Sequence, residues 1–195
     1  MKKTLSLLLA VAIYTSFTYA QDGPCPEWAN TISLLDVESN TSSALESPQV
    51  ENKAKKKGLY RGIDNSVRLL GGKSSTTLGA SGNSFVYRPF SKDIRPEQQI
   101  RLYNFESKGE FRQLVVGGTN MFGGSKNKKM VDTSIKLSFE KISDGCYKVE
   151  IVDSKLAPGE YAFGLSTTGN ADIQSGGGLG NQSNSNSQWY GFRVK

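Results

Sequence analysis

Apolar side chains at alternate positions, broken at short intervals by Gly, Asn, Asp or Pro, are the pattern that leaves this chain the fewest folds. The clearest case is Leu156-Ala-Pro-Gly-Glu-Tyr-Ala-Phe-Gly-Leu165. Pro158 fixes φ and lacks an amide hydrogen, and Gly159 accepts the backbone angles of a reversal. Tyr161, Phe163 and Leu165 then follow at every second position, so the chain turns at the Pro-Gly corner and leaves as a half-buried strand. Glu160, fixed beside that corner, is expected to act structurally by accepting backbone amides.

Short segments of this kind continue from Val50 to the end, and none sustains a helical period. The candidate strands are Lys57 to Arg61, Ser66 to Leu70, Ser84 to Pro89, Gln99 to Phe105, Phe111 to Val116, Ser134 to Phe139, Cys146 to Val152, Glu160 to Ser166 and Gln188 to Val194. Ile63-Asp-Asn65, Gly71-Gly-Lys73, Lys108-Gly109, Gly123-Gly-Ser125 and Asp144-Gly145 supply the turns. Across Asp144-Gly145, Ile135, Leu137 and Phe139 face Tyr147, Val149 and Ile151, which predicts a hairpin. The Gly-, Ser- and Asn-rich stretch from Gln174 to Ser187 lacks apolar residues to pack and predicts a loop. With 195 residues, 36% of them hydrophobic, there is core enough for one domain. The pattern predicts an all-β fold: a single antiparallel, immunoglobulin-like β-sandwich over residues 49–195.

Residues 1–20 belong outside that fold. Lys2 and Lys3 precede an apolar run from Leu5 to Ile13, and Thr18-Tyr19-Ala20 ends in a small residue, the pattern of a cleaved secretory signal peptide. The run is short for a bilayer-spanning helix, and no later segment is apolar enough to span. The expected location is therefore exported, periplasmic or extracellular, in a bacterial envelope and compatible with outer-membrane association. Residues 21–48 read as an N-terminal arm. Its apolar patch Ile32-Ser-Leu-Leu-Asp-Val37 fits either a first strand or an anchoring contact.

Two cysteines, Cys25 and Cys146, remain in that oxidising setting. Strand alternation puts Tyr147, Val149 and Ile151 on one face and Cys146 on the other, with Lys148 and Glu150. An outward thiol facing an arm that carries Cys25 predicts a Cys25–Cys146 disulfide, with two free thiols or an intermolecular bond as the alternatives.

Loss of Lys2 and Lys3 reduces the 24 basic residues to 22 against 18 acidic ones, taking the net charge from +6 to +4. That mild excess argues for no anionic partner in particular. The basic runs Lys53, Lys55, Lys56, Lys57 with Arg61, and Lys126, Lys128, Lys129, each adjoin Gly, as a solvated turn or guarded sheet edge would. No nucleic-acid partner is expected.

Arg101-Leu-Tyr103, Phe111-Arg112, the Leu156-to-Phe163 corner and the terminal aromatic-Gly-Phe strand together resemble exported β-sandwich domains of Bacteroidota and related bacteria, whose function is largely unassigned. The resemblance covers about the last half of the chain. It implies a fold and a compartment and carries over no functional residues.

The sequence contains no histidine, so Ser-His-Asp and Cys-His nucleophile systems and His-containing metal sites have no basis in this chain. Gly118 to Lys126 misses the P-loop pattern because Gly124 stands where Lys is required, and Gly176 to Gly180 lacks the last glycine of a dinucleotide fingerprint. Ser125 and Lys128 match Ser-x-x-Lys but fall at an expected hairpin tip. Carboxylates remain, since glycosidases work with two, and Glu106, Glu110, Glu140, Glu150, Glu160, Asp132 and Asp153 are available. No catalytic residue, metal ligand or cofactor is expected. Candidate binding residues are Lys126, Lys128, Lys129, Trp189 and Tyr190, of which one of the two aromatics should be core and the other rim. The structural corner is Pro158, Gly159, Glu160 and Tyr161. The expectation is a non-enzymatic envelope binding or assembly module that offers a sheet edge or loop tips to a protein or glycan. A glycan-binding module and a carboxylate-based glycoside hydrolase are the alternatives.

Overall fold

The computed structural model describes residues 23–56, 63–80, 83–119, 125–126, 133–153, 155–166 and 188–195. The expected signal peptide, the expected strand from Lys57 to Arg61, the loop from Gln174 to Ser187, and Asp132, Lys128 and Lys129 lie outside those residues.

Two sheets pack together in a sandwich-like arrangement. The first has five antiparallel strands. In spatial order they are β10 (Leu137–Ser143), β11 (Cys146–Ile151), β6 (Ser84–Arg88), β1 (Thr31–Asp36) and β2 (Thr41–Ala44). The expected hairpin is present: Leu137 pairs with Ile151 and Phe139 with Val149, and Gly145 supplies the turn with φ +70°. Of the two readings left open for the apolar patch at Ile32, the first strand is the one formed: residues 31–36 are β1, and residues 41–44 add β2 beside it. Ile32 and Leu34, two residues apart, point into the core, whereas Thr41 to Ala44 are exposed and carry no apolar period to announce a strand.

The second sheet has eight strands: β3 (Val50–Lys56), β4 (Ile63–Leu70), β8 (Phe111–Thr119), β7 (Ile100–Ser107), β12 (Gly159–Leu165), β13 (Gln188–Val194) and β5 (Thr77–Leu78), with β9 (Ser125–Lys126) off this path beside β8. It is mixed, since β13 and β5 run parallel. One helical turn, α1 (Pro96–Gln99), leads into β7.

The principal core lies between the sheets. Phe85 meets Phe163 edge-on at 4.9 Å, and Tyr161 stacks on Phe192 at 5.5 Å. The eight-stranded sheet has a second core on its other face. There Val67 of β4 and Val116 of β8 meet Tyr103, Phe105, Ala162 and Trp189 of β7, β12 and β13. Only Glu106–Gln113 and Ser107–Arg112 join β7 to β8, so β4 and β8 fold back over β7, β12 and β13. β12 is covered on both faces from Glu160 to Leu165.

Cys25 and Cys146 form the expected disulfide, with Cα atoms 6.1 Å apart. Cys146 is fully buried. Alternation placed it on the outer face, but the disulfide draws the segment carrying Cys25 and the buried Pro26 over it.

Candidate functional site

Two polar features stand out among the described residues, a buried ion cluster and an open sheet edge. Arg112 of β8 anchors the first, its side chain wholly buried. Nη2 donates to Glu46 Oε1 at 2.7 Å and to the Leu70 carbonyl at 3.2 Å. Nη1 donates to Glu46 Oε2 at 3.2 Å, and Nε to the Gly71 carbonyl at 2.9 Å. Glu160 lies 3.8 Å from Nη1, accepts the Ser74 amide at 2.9 Å and lies 3.5 Å from Arg193. Glu160 is therefore a structural acceptor as expected, although the amide it binds comes from the turn after β4 and not from its own corner.

Burial pushes the Glu46 carboxyl upward. The Arg112 and Ser74 side chains and the Ser75 amide outweigh that effect and hold it below its ordinary range. A glycosidase acid needs the opposite shift. Gly191 of β13 makes room for the guanidinium: a Cβ there would stand 2.9 Å from Arg112 Nη1. Of the other carboxylates named from sequence, Glu106 pairs with Lys108, and Glu150 pairs with Lys148 at 2.8 Å. Among the described residues no three His, Cys, Asp or Glu side chains gather as a metal site.

The aromatic binding candidates are placed in the core. Trp189 is 2% exposed and lies 5.4 Å edge-on from Phe105, while Tyr190, half-buried, packs into the inter-sheet core. The folded-back strands cover Trp189, while Tyr190, on the other face, stays partly exposed. Lys126 lies in β9, beside β8. At the corner, Gly159 begins β12, and Tyr161 Oη donates to the Ala157 carbonyl at 2.7 Å, tying the strand to the residue before Pro158.

The open edge is β2, the last strand of the five-stranded sheet. Unpaired strand edges invite another strand, and charges, irregular pairing or shortness guard against it. The β3 edge carries Glu51, Lys53, Lys55 and Lys56. The β10 edge carries Glu140 and Lys141 and shifts register at Lys141/Ser143, and β5 has only two residues. β2 is Thr41-Ser-Ser-Ala44, exposed throughout, uncharged and free of Pro; among the described residues no strand pairs with its outer side. Both its ends are held. Asp36 Oδ1 accepts the Glu38 and Ser39 amides at 3.0 and 3.3 Å, and the Ser39 and Thr41 hydroxyls share a 2.7 Å hydrogen bond. At the other end Leu45 is buried, the Gly191 amide donates to the Glu46 carbonyl at 2.8 Å, and Arg112 grips the Glu46 side chain.

Two exposed aromatics share one end of the same sheet. Thr31 pairs with Arg88, so Trp28, before β1, and Phe90, after β6, emerge together, 71% and 55% exposed. Sequence reasoning passed over Trp28, Phe90, Glu46 and β2. The chain matches no protein-family profile, no curated protein and no solved structure.

Proposed function

We propose that this protein is an exported, non-enzymatic envelope component that binds or assembles with another envelope macromolecule through a sheet edge. One observation carries this: among the described residues, three strand edges are guarded by charge, irregular pairing or shortness, and β2 is not. The disulfide and the absence, among the described residues, of any helix long and apolar enough to cross a membrane fit an exported chain. The kinship with exported Bacteroidota β-sandwich domains and the immunoglobulin-like strand plan belong to the same reading, as does the lack of a nucleic-acid partner. The test is cross-linking in the native envelope with identification of what co-purifies. Recovery of a specific partner is expected. Recovery of none, together with polysaccharide turnover by the pure protein, would reverse the assignment to a carboxylate hydrolase.

A second reading, glycan binding, has its own observation in Trp28 and Phe90. Tryptophan faces offer flat apolar area for stacking. Isothermal titration with envelope polysaccharides tests it: heat lost in Trp28→Ala and Phe90→Ala favours a glycan, and no heat with any polysaccharide removes it.

A further inference from the structure

We infer that β2 takes as its partner an extended polypeptide segment of another protein, alternating apolar and polar residues and carrying a basic residue where it meets Asp36 and Glu38. This rests on the binding role proposed above and names its ligand.

Three features of the edge converge on that partner. The side chains of Thr41 to Ala44 are small and uncharged, so an incoming backbone meets neither bulk nor repulsion. The strand is held at both ends, by the Asp36 turn and by the Glu46–Arg112 pair, so little ordering remains to be done on binding. Ser43 pairs with Leu34, which is partly exposed and packs on the inter-sheet core. A residue opposite Ser43 would extend that core if apolar, and its neighbours along the strand would face the other way.

Charge sets the direction. Asp36 and Glu38 are exposed at the Thr41 end of β2, and hydrogen bonds from Ser39 hold the Asp36 carboxyl below its ordinary range. In the chain itself no basic residue lies between Val37 and Asn52. A segment lying antiparallel on β2 brings its C-terminal end there, so its basic residue belongs at that end.

The probe is the blocked synthetic peptide Thr-Val-Thr-Val-Thr-Lys, titrated to millimolar concentration into the ¹⁵N-labelled protein. Expected are amide shifts centred on 41–44 and on β1. Affinity should fall about tenfold or more when alternate peptide amides are N-methylated, because strand pairing requires them. It should fall several-fold with Glu in place of Lys, a difference that added salt reduces. Ser43→Lys, which installs an edge guard at an exposed position, should abolish the shifts while leaving the circular dichroism spectrum unchanged. Shifts that avoid 41–44, or none at millimolar peptide, overturn the inference, as does equal affinity for the N-methylated peptide. Dimerisation through β2 that excludes the peptide also overturns it, in favour of a second copy. The binding role is judged separately. If Ser43→Lys still captures the wild-type partner in the envelope, the role stands and the edge falls; if the wild type captures none, the role falls as well.

Discussion

Arg112 and Glu46, 66 residues apart in the chain, form a two-pronged ion pair at 2.7 and 3.2 Å that fastens β8 to the connection between β2 and β3. Glu160 approaches the same guanidinium, so one cation serves two carboxylates in a shielded place. Removing one member of a buried pair costs far more than the pair contributes, because the charge left behind has neither water nor partner. Arg112→Met should therefore lower the unfolding free energy by about 3 to 5 kcal/mol. Glu46→Gln, which keeps an acceptor, should cost about 1 to 3 kcal/mol. Urea denaturation monitored by circular dichroism measures both. A loss below about 0.5 kcal/mol for Arg112→Met, the range of an inert surface change, would contradict the burial of this cluster.

The same pair gives stability a pH dependence of defined sign. The Glu46 carboxyl lies below its ordinary 4.5 in the folded protein, so the unfolded chain binds the proton first. Its contribution is complete above 4.5 and is lost as pH falls through the folded value. Asp36 and Asp144 shift the same way, Asp36 through Ser39 and Asp144 through Lys92, but both are exposed and sensitive to salt. Urea midpoints taken from pH 7 to pH 3 in high salt should drop less steeply in Glu46→Gln than in the wild type. Parallel curves would remove Glu46 from the acid response.

Cys25 and Cys146 close a loop with a sequence separation of 121. On the chain-entropy account, such a crosslink stabilises the fold by roughly 5 kcal/mol. Cys25→Ala is the informative variant, since it leaves the fully buried Cys146 a small apolar thiol. It should unfold at clearly lower urea, and reduction of the wild type should reproduce its midpoint. Equal midpoints for oxidised and reduced protein would show that the crosslink constrains nothing in the unfolded chain.

Much of the fold was written locally, and what was not depended on distant partners. Asp144-Gly145 between two alternating segments gave the hairpin, because the turn residue and both apolar faces lie within one short stretch. Cys146 was assigned to the correct face, but alternation tells which side a residue occupies and not what covers it. For the same reason Trp189 could not be separated from a rim residue: Val67 and Val116, which help bury it, belong to strands far away in sequence. β2 escaped notice, and of β3 only the lysines were read, as a solvated turn or guarded edge. Thr41 to Ala44 has no apolar face, and in Val50–Lys56 the lysines mask a strand that β4 supplies with its hydrogen bonds. Nothing near Glu46 announces Arg112, and an ion pair 66 residues long in sequence has no local signature.

Gly164 gives the most direct test of the second core. A Cβ on Gly164 would lie 3.0 to 3.3 Å from three carbons of the Trp189 ring, closer than carbon atoms pack comfortably. The ring cannot simply turn away, because Phe105 lies edge-on to it at 5.4 Å and Tyr103 lies 6.0 Å from it. Gly164→Ala should thus cost about 1 to 3 kcal/mol and alter the near-ultraviolet circular dichroism of Trp189. Trp28 supplies the contrast, being 71% exposed. Trp28→Ala should change stability by less than about 0.5 kcal/mol and remove most of the iodide-quenchable fluorescence, leaving the shielded emission of Trp189. Strong iodide quenching that persists in Trp28→Ala would place Trp189 in solvent, and the packing of β4 and β8 over β12 and β13 could not stand.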